Sequence, residues 1–469
     1  MPVTPRSHRL SPLLLCITVG GCAAGPDYRA PTGAELDVPV AYASAPPAPV
    51  DPAALATWWR AFDDPVLEEL VAQGLAHNRD VAGAQARLRA ARASWRGARG
   101  AFWPAVGASV DSGSTHVSGT DGGSGESWQA GVDASWELDL FGGTRRGVQA
   151  AAAGVGQAQA SLHDVQTSIV AEVALNYVDA RNAQARMRIA RENLAYQDET
   201  LQITRWRNQA GLVSAQDVEL ATVQRSQTAA AVPQLRATYL AAAHRLSVLT
   251  GRAPGELASR LEGAPDDVPL GPDAIATGVP AELLRRRPDL VAAERALAAE
   301  VARIGVAQAA LYPALRLTGS VGSSALVPGD LGSVVASTIG ASLAGPLFRG
   351  GQLRAQVEGQ RASADAALAG YEGAVLGALE DVENALAAIA TAKERETLLV
   401  VAEASAERAA LLARQRYESG LADFESLLEA NRGLLGSQES RLNAKAARAI
   451  AAVQLYKALG GGWPAPAAD

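Results

Sequence analysis

Little of this 469-residue chain is aromatic: Phe, Tyr and Trp together make up 5% of it. Apolar content is nevertheless 48%, and about a hundred residues are Ala, far above ordinary usage. A core made mainly of Ala buries little area per residue, which argues against one wide globular core and for long, closely packed helices. Lysine is almost missing, with only Lys393, Lys445 and Lys457 among 42 basic residues. None of the three follows a Gly, so there is no Walker A loop, and any energised work depends on a partner. A net charge of −7 gives no electrostatic footprint for nucleic acid. The two cysteines, Cys16 and Cys22, both stand near the start, which excludes a disulfide scaffold. Beyond residue 22 the histidines are His77, His116, His163 and His244, without the His-Glu-x-x-His spacing, and no Gly-x-Ser-x-Gly elbow occurs. No enzyme, no cofactor and no metal centre are therefore expected. No later stretch reaches about 18 consecutive apolar residues, so no transmembrane helix is expected either.

What is present begins with a targeting pattern. Arg6, His8 and Arg9 precede an apolar stretch from Leu10 to Val19, too short to span a bilayer. It ends in Val19-Gly20-Gly21-Cys22, which resembles a bacterial lipobox. Cys22 is thus expected to carry lipid, with Ala23 after it favouring the outer membrane; the bland alternative is ordinary signal cleavage.

The remainder is a duplication. Asp80 matches Asp289, Pro104 matches Pro313, Val173 matches Val382, Gly211 matches Gly420 and Gly251 matches Gly460, all at a spacing of 209. Leu140-Phe141-Gly142-Gly143 matches Leu347-Phe348-Arg349-Gly350-Gly351 at 207 to 208, placing a small indel before it. Each copy reads helix, strand, strand, long helix, turn, helix. The long helices are expected from about Arg145 to Gln209 and from Leu353 to Ser419, rods of roughly 95–100 Å. Leu368, Tyr371, Val375, Leu379, Val382, Leu386 and Ile389 step by three or four, a coiled-coil seam. Flanking helices are expected over Pro65 to Ala101 and Ala215 to Leu249. The expected division is a signal peptide (1–21), a lipidated extended segment (22–64), and a first repeat (65–252, strands about 105–140, turn 210–214). A linker (253–280), a second repeat (281–462, strands about 314–348, turn 419–423) and a tail (463–469) complete it.

From Trp128 to Leu140 the even positions are apolar and the odd ones polar, the mark of a strand with one greasy and one wet face. Its partner runs from Ala105 to His116, across a turn from Gly119 to Gly125. The second pair is weaker, over Leu315 to Val321 and Val335 to Leu343. A soluble sheet packed on helices is the alternative; the Trp-bearing face and the lipid signal favour membrane. Four strands cannot close a barrel and open edges are not viable in lipid, so copies must share one: three chains give 12 strands.

Several segments resemble TolC-like outer-membrane efflux proteins of the NodT/OprM branch. They are Cys22 to Pro31, Trp58-Trp59 through Leu67, Leu284-Arg-Arg-Arg-Pro-Asp-Leu through Glu294, Val232-Pro233, Leu249 to Pro254, and Leu459-Gly-Gly-Gly-Trp463. The resemblance implies an α+β membrane protein. Its duplicated unit supplies four strands of a trimeric 12-stranded outer-membrane barrel and the coiled-coil helices of a periplasmic α-barrel, beside a small mixed equatorial domain. It also implies a homotrimer working with a periplasmic adaptor and an inner-membrane pump of RND or related type, in contact with outer-membrane lipid and not with nucleic acid. A duct for type I protein secretion and a purely structural periplasm-spanning lipoprotein remain as alternatives.

The informative positions are the two turns. Gly211, Leu212, Val213 and Ser214, and Gly420, Leu421, Ala422 and Asp423, read as hairpin turns in which Ser214 and Asp423 cap the returning helices and Asp217 completes a capping-box spacing. The resemblance makes them the adaptor-contacting tips of the periplasmic gate. It places Asp217 and Tyr417 in the lock of the closed tip, and Glu429 and Arg432 near the constriction. Two positions depart from the pattern: Glu418 stands where the branch often has Arg, and Glu425 where it often has Leu. Arg414 and Arg416 are the cations available to replace the missing one. Glu425 and Glu429, four apart, share a helix face.

Overall fold

The computed structural model describes residues 23–44, 48–116, 118–119, 123–262 and 267–463; the signal peptide, Cys22 and all but Trp463 of the tail lie outside them. The elements follow the duplicated order. After a short α1 (Pro52–Ala56) and a 3-10 turn (Trp58–Phe62) come α2 (Pro65–His77), α3 (Arg79–Gly100), β1 (Ala105–His116), β2 (Ser124–Leu138), α4 (Gly143–Gln209) and α5 (Ala215–Leu249). After α6 (Ala258–Glu262), the second copy has α7 (Pro280–Arg286), α8 (Pro288–Ala309), β3 (Ala314–Ala325), β4 (Val335–Ala344), α9 (Gln352–Glu418) and α10 (Phe424–Ala458). α4 and α9 each have 67 residues, and α5 and α10 each have 35.

Two expectations need correction. Pro65 to Ala101 is not a single helix but α2 and α3, broken at Asn78, whose φ of −62° and ψ of 137° are extended. The buried Asn78 side chain explains the break. Its Oδ1 accepts from the Asp80 and Val81 amides (2.8 and 3.2 Å), satisfying the first turn of α3, while its Nδ2 donates to Leu249 O (3.0 Å). The second copy breaks at the matching place with a different residue: Arg287 is extended between α7 and α8, and its Nη1 donates to Ala458 O at 3.3 Å. β2 also starts earlier than expected, at Ser124, because Ser124 still pairs with His116 and the ladder runs on toward the turn.

The chain forms two compact units, one of residues 23–28, 96–151 and 299–364, the other of the rest. The first holds an antiparallel sheet of order β1-β2-β3-β4, with β1 and β4 as its edges. Its register gathers Val106, Val110, Val132, Trp136, Leu315, Leu317, Val321, Ile339 and Leu343 on one face. Gln129, Asp133, Glu137, Arg316, Thr318 and Ser320 fall on the other. The apolar face is uncovered in the single chain, Val110 being 76% and Ile339 95% exposed.

In the second unit several aromatic residues pack together. Trp58 stacks on Tyr456 (5.2 Å, 12°) and meets Trp59 and Phe62 edge-on. Asp64 caps α2 and also accepts from Tyr177 Oη at 2.7 Å, and Arg181 in turn donates to that hydroxyl. Along α9, Tyr371, Val375, Val382 and Leu386 are buried, as the coiled-coil period requires.

Candidate functional site

Both turns reverse the chain with the same backbone. In the first, Gly211 N donates to Asn208 O (2.9 Å) and Leu212 N to Arg207 O (2.8 Å). In the second, Gly420 N donates to Tyr417 O (3.0 Å) and Leu421 N to Arg416 O (2.7 Å). This paired pattern ends a helix with a left-handed residue, and Gly211 and Gly420 have φ of +75° and +71°. Leu212 and Leu421, next in sequence, are exposed at both ends. Ser214 Oγ accepts from Asp217 N, and the Asp217 carboxylate accepts from the Ser214 amide and hydroxyl (both 2.9 Å), so the capping box is complete. Asp423 caps α10 by accepting from Ser426 N, and its hydrogen bonds to Ser426 hold its carboxyl below the usual carboxylate range.

Four helices meet behind these turns. Leu201 of α4, Ala221 of α5, Tyr417 of α9, and Phe424, Leu427 and Leu428 of α10 form one buried cluster. Tyr417 packs against Phe424 with ring centroids 5.8 Å apart. The Arg207 guanidinium lies 4.6 Å from the Tyr417 ring centroid and donates to Tyr417 O at 3.2 Å. The Tyr417 hydroxyl is buried and has no hydrogen-bond partner among the described residues. A cavity of about 220 Å³ opens beside it, lined by Tyr196, Glu199, Arg207, Arg414, Tyr417 and Glu418 among others. Arg414 donates to Glu418 at 2.8 Å and sits 5.2 Å from the Tyr196 ring centroid, whereas Arg416 is exposed. The Glu418 pairing raises the pKa of Arg414 further.

The structure therefore brings some expected residues together and not others. Tyr417 is in the cluster, but Asp217 is engaged with its own helix start, and among the described residues no hydrogen bond joins the two. Arg432 donates to Gln224 of α5 at 2.6 Å. Glu425 and Glu429 are both exposed on α10. Sequence reasoning missed Arg207 and Phe424. The available signal for Phe424 was its rarity, one of five Phe in the chain, directly after the cap; Arg207, among 42 basic residues, had none.

A sheet with one wet and one greasy face and two open edges cannot persist alone in lipid. The sequence profile described as "Outer membrane efflux protein" matches residues 70–252 and again 279–461. The chain belongs to the outer membrane efflux protein family. Among relatives, this efflux protein is 32% identical to Nodulation protein T of Rhizobium leguminosarum bv. viciae over 98% of its own length and 95% of that protein. It is 33% identical to the toluene efflux pump outer membrane protein TtgC of Pseudomonas putida, over 97% and 95%. Of solved structures, the outer-membrane channel OprN superposes with a TM-score of 0.86 at 38% identity, covering 94% of this chain and all of that one. As an outer membrane efflux protein of a Gram-negative bacterium, the chain is the outer-membrane channel of a tripartite system. It works as a homotrimer with a periplasmic adaptor and an inner-membrane pump. The family's members are channels rather than enzymes.

Proposed function

We propose that the trimer is a passive duct, without catalysis of its own, whose two kinds of helical turn are its periplasmic ends, where the adaptor docks and the opening is gated. In this reading Gly211–Ser214 and Gly420–Asp423 are the docking tips, and the exposed Leu212 and Leu421 supply their apolar contacts. Asp217 shapes the start of α5, Tyr417 anchors the cluster behind the tips, and Arg432 ties α10 to α5. Cys22 carries the acyl anchor. Relatives named for toluene, an antibiotic and pyoverdine match equally well, at 32–33% identity. This favours selection of cargo by the inner-membrane pump rather than by the duct.

The observation that carries the gate is the exposure of both Glu425 and Glu429 on one face of α10, just past the Gly420 turn. Threefold repetition gathers these carboxylates at the mouth, where a ring of negative charge favours cations. Planar-bilayer reversal potentials in a KCl gradient test this. The wild type prefers cations and is blocked by multivalent cations from the periplasmic side. Glu425→Gln combined with Glu429→Gln weakens both effects, most at low salt. A reversal potential unchanged in the double variant places these residues outside the pore.

A further inference from the structure

The residues that follow Cys22 are held by a built site. Ala24 N donates to Phe141 O at 2.8 Å. Arg146, only 4% exposed, donates from Nε to Ala24 O (3.1 Å) and from Nη2 to Gly25 O (3.1 Å) and Asp27 Oδ1 (2.8 Å). Its Nη1 donates to Gln149 Oε1 on its own helix. A guanidinium buried this deeply needs its donors met, and here most of the acceptors come from the N-terminal segment. The backbones approach too closely for side chains. A Cβ on Gly25 would lie 2.4 Å from Gly305 Cα, and one on Gly142 would lie 2.8 Å from Ala23 Cα.

The duplication supplies an internal control. At a spacing of 208 residues, Gly142 and Arg146 recur as Gly350 and Arg354 at the start of α9. There Arg354 is exposed, and among the described residues it makes no hydrogen bond or ion pair. Nothing lies within 4 Å of a Cβ built on Gly350 or Gly351. The same residue types thus recur without an occupant in the second copy, where the turn itself differs: Gly351 is left-handed, its counterpart Gly143 already belongs to α4, and α9 starts only at Gln352. The burial of Arg146 is therefore not a requirement of the helix start, but a consequence of the segment lying on it.

We propose that Arg146, with Gly25, Gly142 and Gly305, forms a seat for the Ala23–Asp27 segment that ties the N-terminal anchor to the strand–helix junction of the first repeat alone. Only Ala23 separates Cys22 from the first carbonyl that Arg146 holds. Each chain thereby has one anchor point, whereas the second repeat's Arg354 is exposed in the single chain. The seat does not depend on acylation; only its use as a guide for the lipid rests on Cys22 being acylated.

The test uses the full-length trimer in detergent, as the parent and as Cys22→Ser, with mass spectrometry following tryptic cleavage after the exposed Arg29. Protease needs several residues unfolded on each side of the bond, so a seated segment protects it. In both backgrounds Arg146→Ala raises the initial cleavage rate by at least about tenfold, the scale set by losing charge-assisted hydrogen bonds. Arg354→Ala leaves the rate unchanged. Gly305→Ala, which leaves Arg146 in place but crowds Ala24 O and the Arg146 stem, also accelerates cleavage and covers the case in which Arg146→Ala fails to assemble. Equal rates in the parent and in both seat variants overturn the proposal, and so does release of the segment by Cys22→Ser alone. Failure of the acylation reading appears separately, as a missing acyl mass on Cys22.

Discussion

After the turn of the first repeat the helix resumes with Ala215, which is exposed; at the matching position of the second it resumes with Phe424, buried against Tyr417. Arg207 in the first repeat reaches across to the Tyr417 ring and carbonyl, while its counterpart Arg416 in the second is exposed in the single chain. The first cap is a hydroxyl with a carboxylate closing the box; the second is the Asp423 carboxylate alone. Both turns nonetheless keep the same hydrogen-bond pattern. The duplication has thus held the backbone constant while dividing the packing between the two turns. The second supplies the apolar plug, and the first supplies the cation that lies over it.

The largest break in this division is expected at the plug. Phe424→Ala empties a buried site and costs about 3–5 kcal/mol. Ala215→Gly at the matching exposed position costs only about 0.5–1 kcal/mol, from backbone entropy. Thermal denaturation of the detergent-solubilised trimer, with hydrogen exchange of the first turns of α5 and α10, measures both. Equal losses would mean that the two turns are packed alike.

Next in size is the cation. Arg207→Ala removes a hydrogen bond to Tyr417 O and a cation–π contact, together about 1–3 kcal/mol. Arg416→Ala stays within about 0.5 kcal/mol, as for an exposed side chain. Faster exchange is expected at the end of α9 in Arg207→Ala and not in Arg416→Ala. The reverse order would show that the second repeat braces itself.

The smallest effects lie in the caps. Ser214→Ala costs about 1 kcal/mol, seen as fraying of the first turn of α5. At the second turn the signature is pH. Because the Asp423 carboxyl is held below its usual range, its contribution is fully present above the unfolded-state pKa and is lost as pH falls through the folded value. Protection of the Ser426 amide should therefore weaken on acidification, and Asp423→Asn should keep the cap while removing that dependence. An identical pH profile in Asp423→Asn assigns the dependence to another group.

Much of this was legible because it is local. The long helices start and stop within one or two residues of the expected positions, since Ala-rich runs bounded by Gly211 and Gly420 leave few other choices. The strands were readable from alternation alone, and the register later placed their apolar positions on one face. Asn78 was harder. The helix expected from Pro65 to Ala101 runs through it, and its bond to the Leu249 carbonyl, 171 residues away, is part of what makes it a break. Asp217 was recognised as a box residue and also as a lock residue by resemblance; its short bonds to Ser214 show the first role.

The duplication, the helix lengths, the two-faced strands and the turn chemistry are all written in the order of residues along the chain. Each of these follows from a periodicity or from a residue's own backbone preference. Folding, by contrast, sets that Arg207 lies over Tyr417, that Arg146 holds Ala24 while Arg354 makes no hydrogen bond among the described residues, and that Phe424 and not Ala215 fills the space between four helices. These pairings join residues about 120 to 210 positions apart. No local preference distinguishes one Arg from another among 42 basic residues. Which of them is buried depends on what the folded chain brings beside it, and a charge is buried only where enough acceptors converge to replace water.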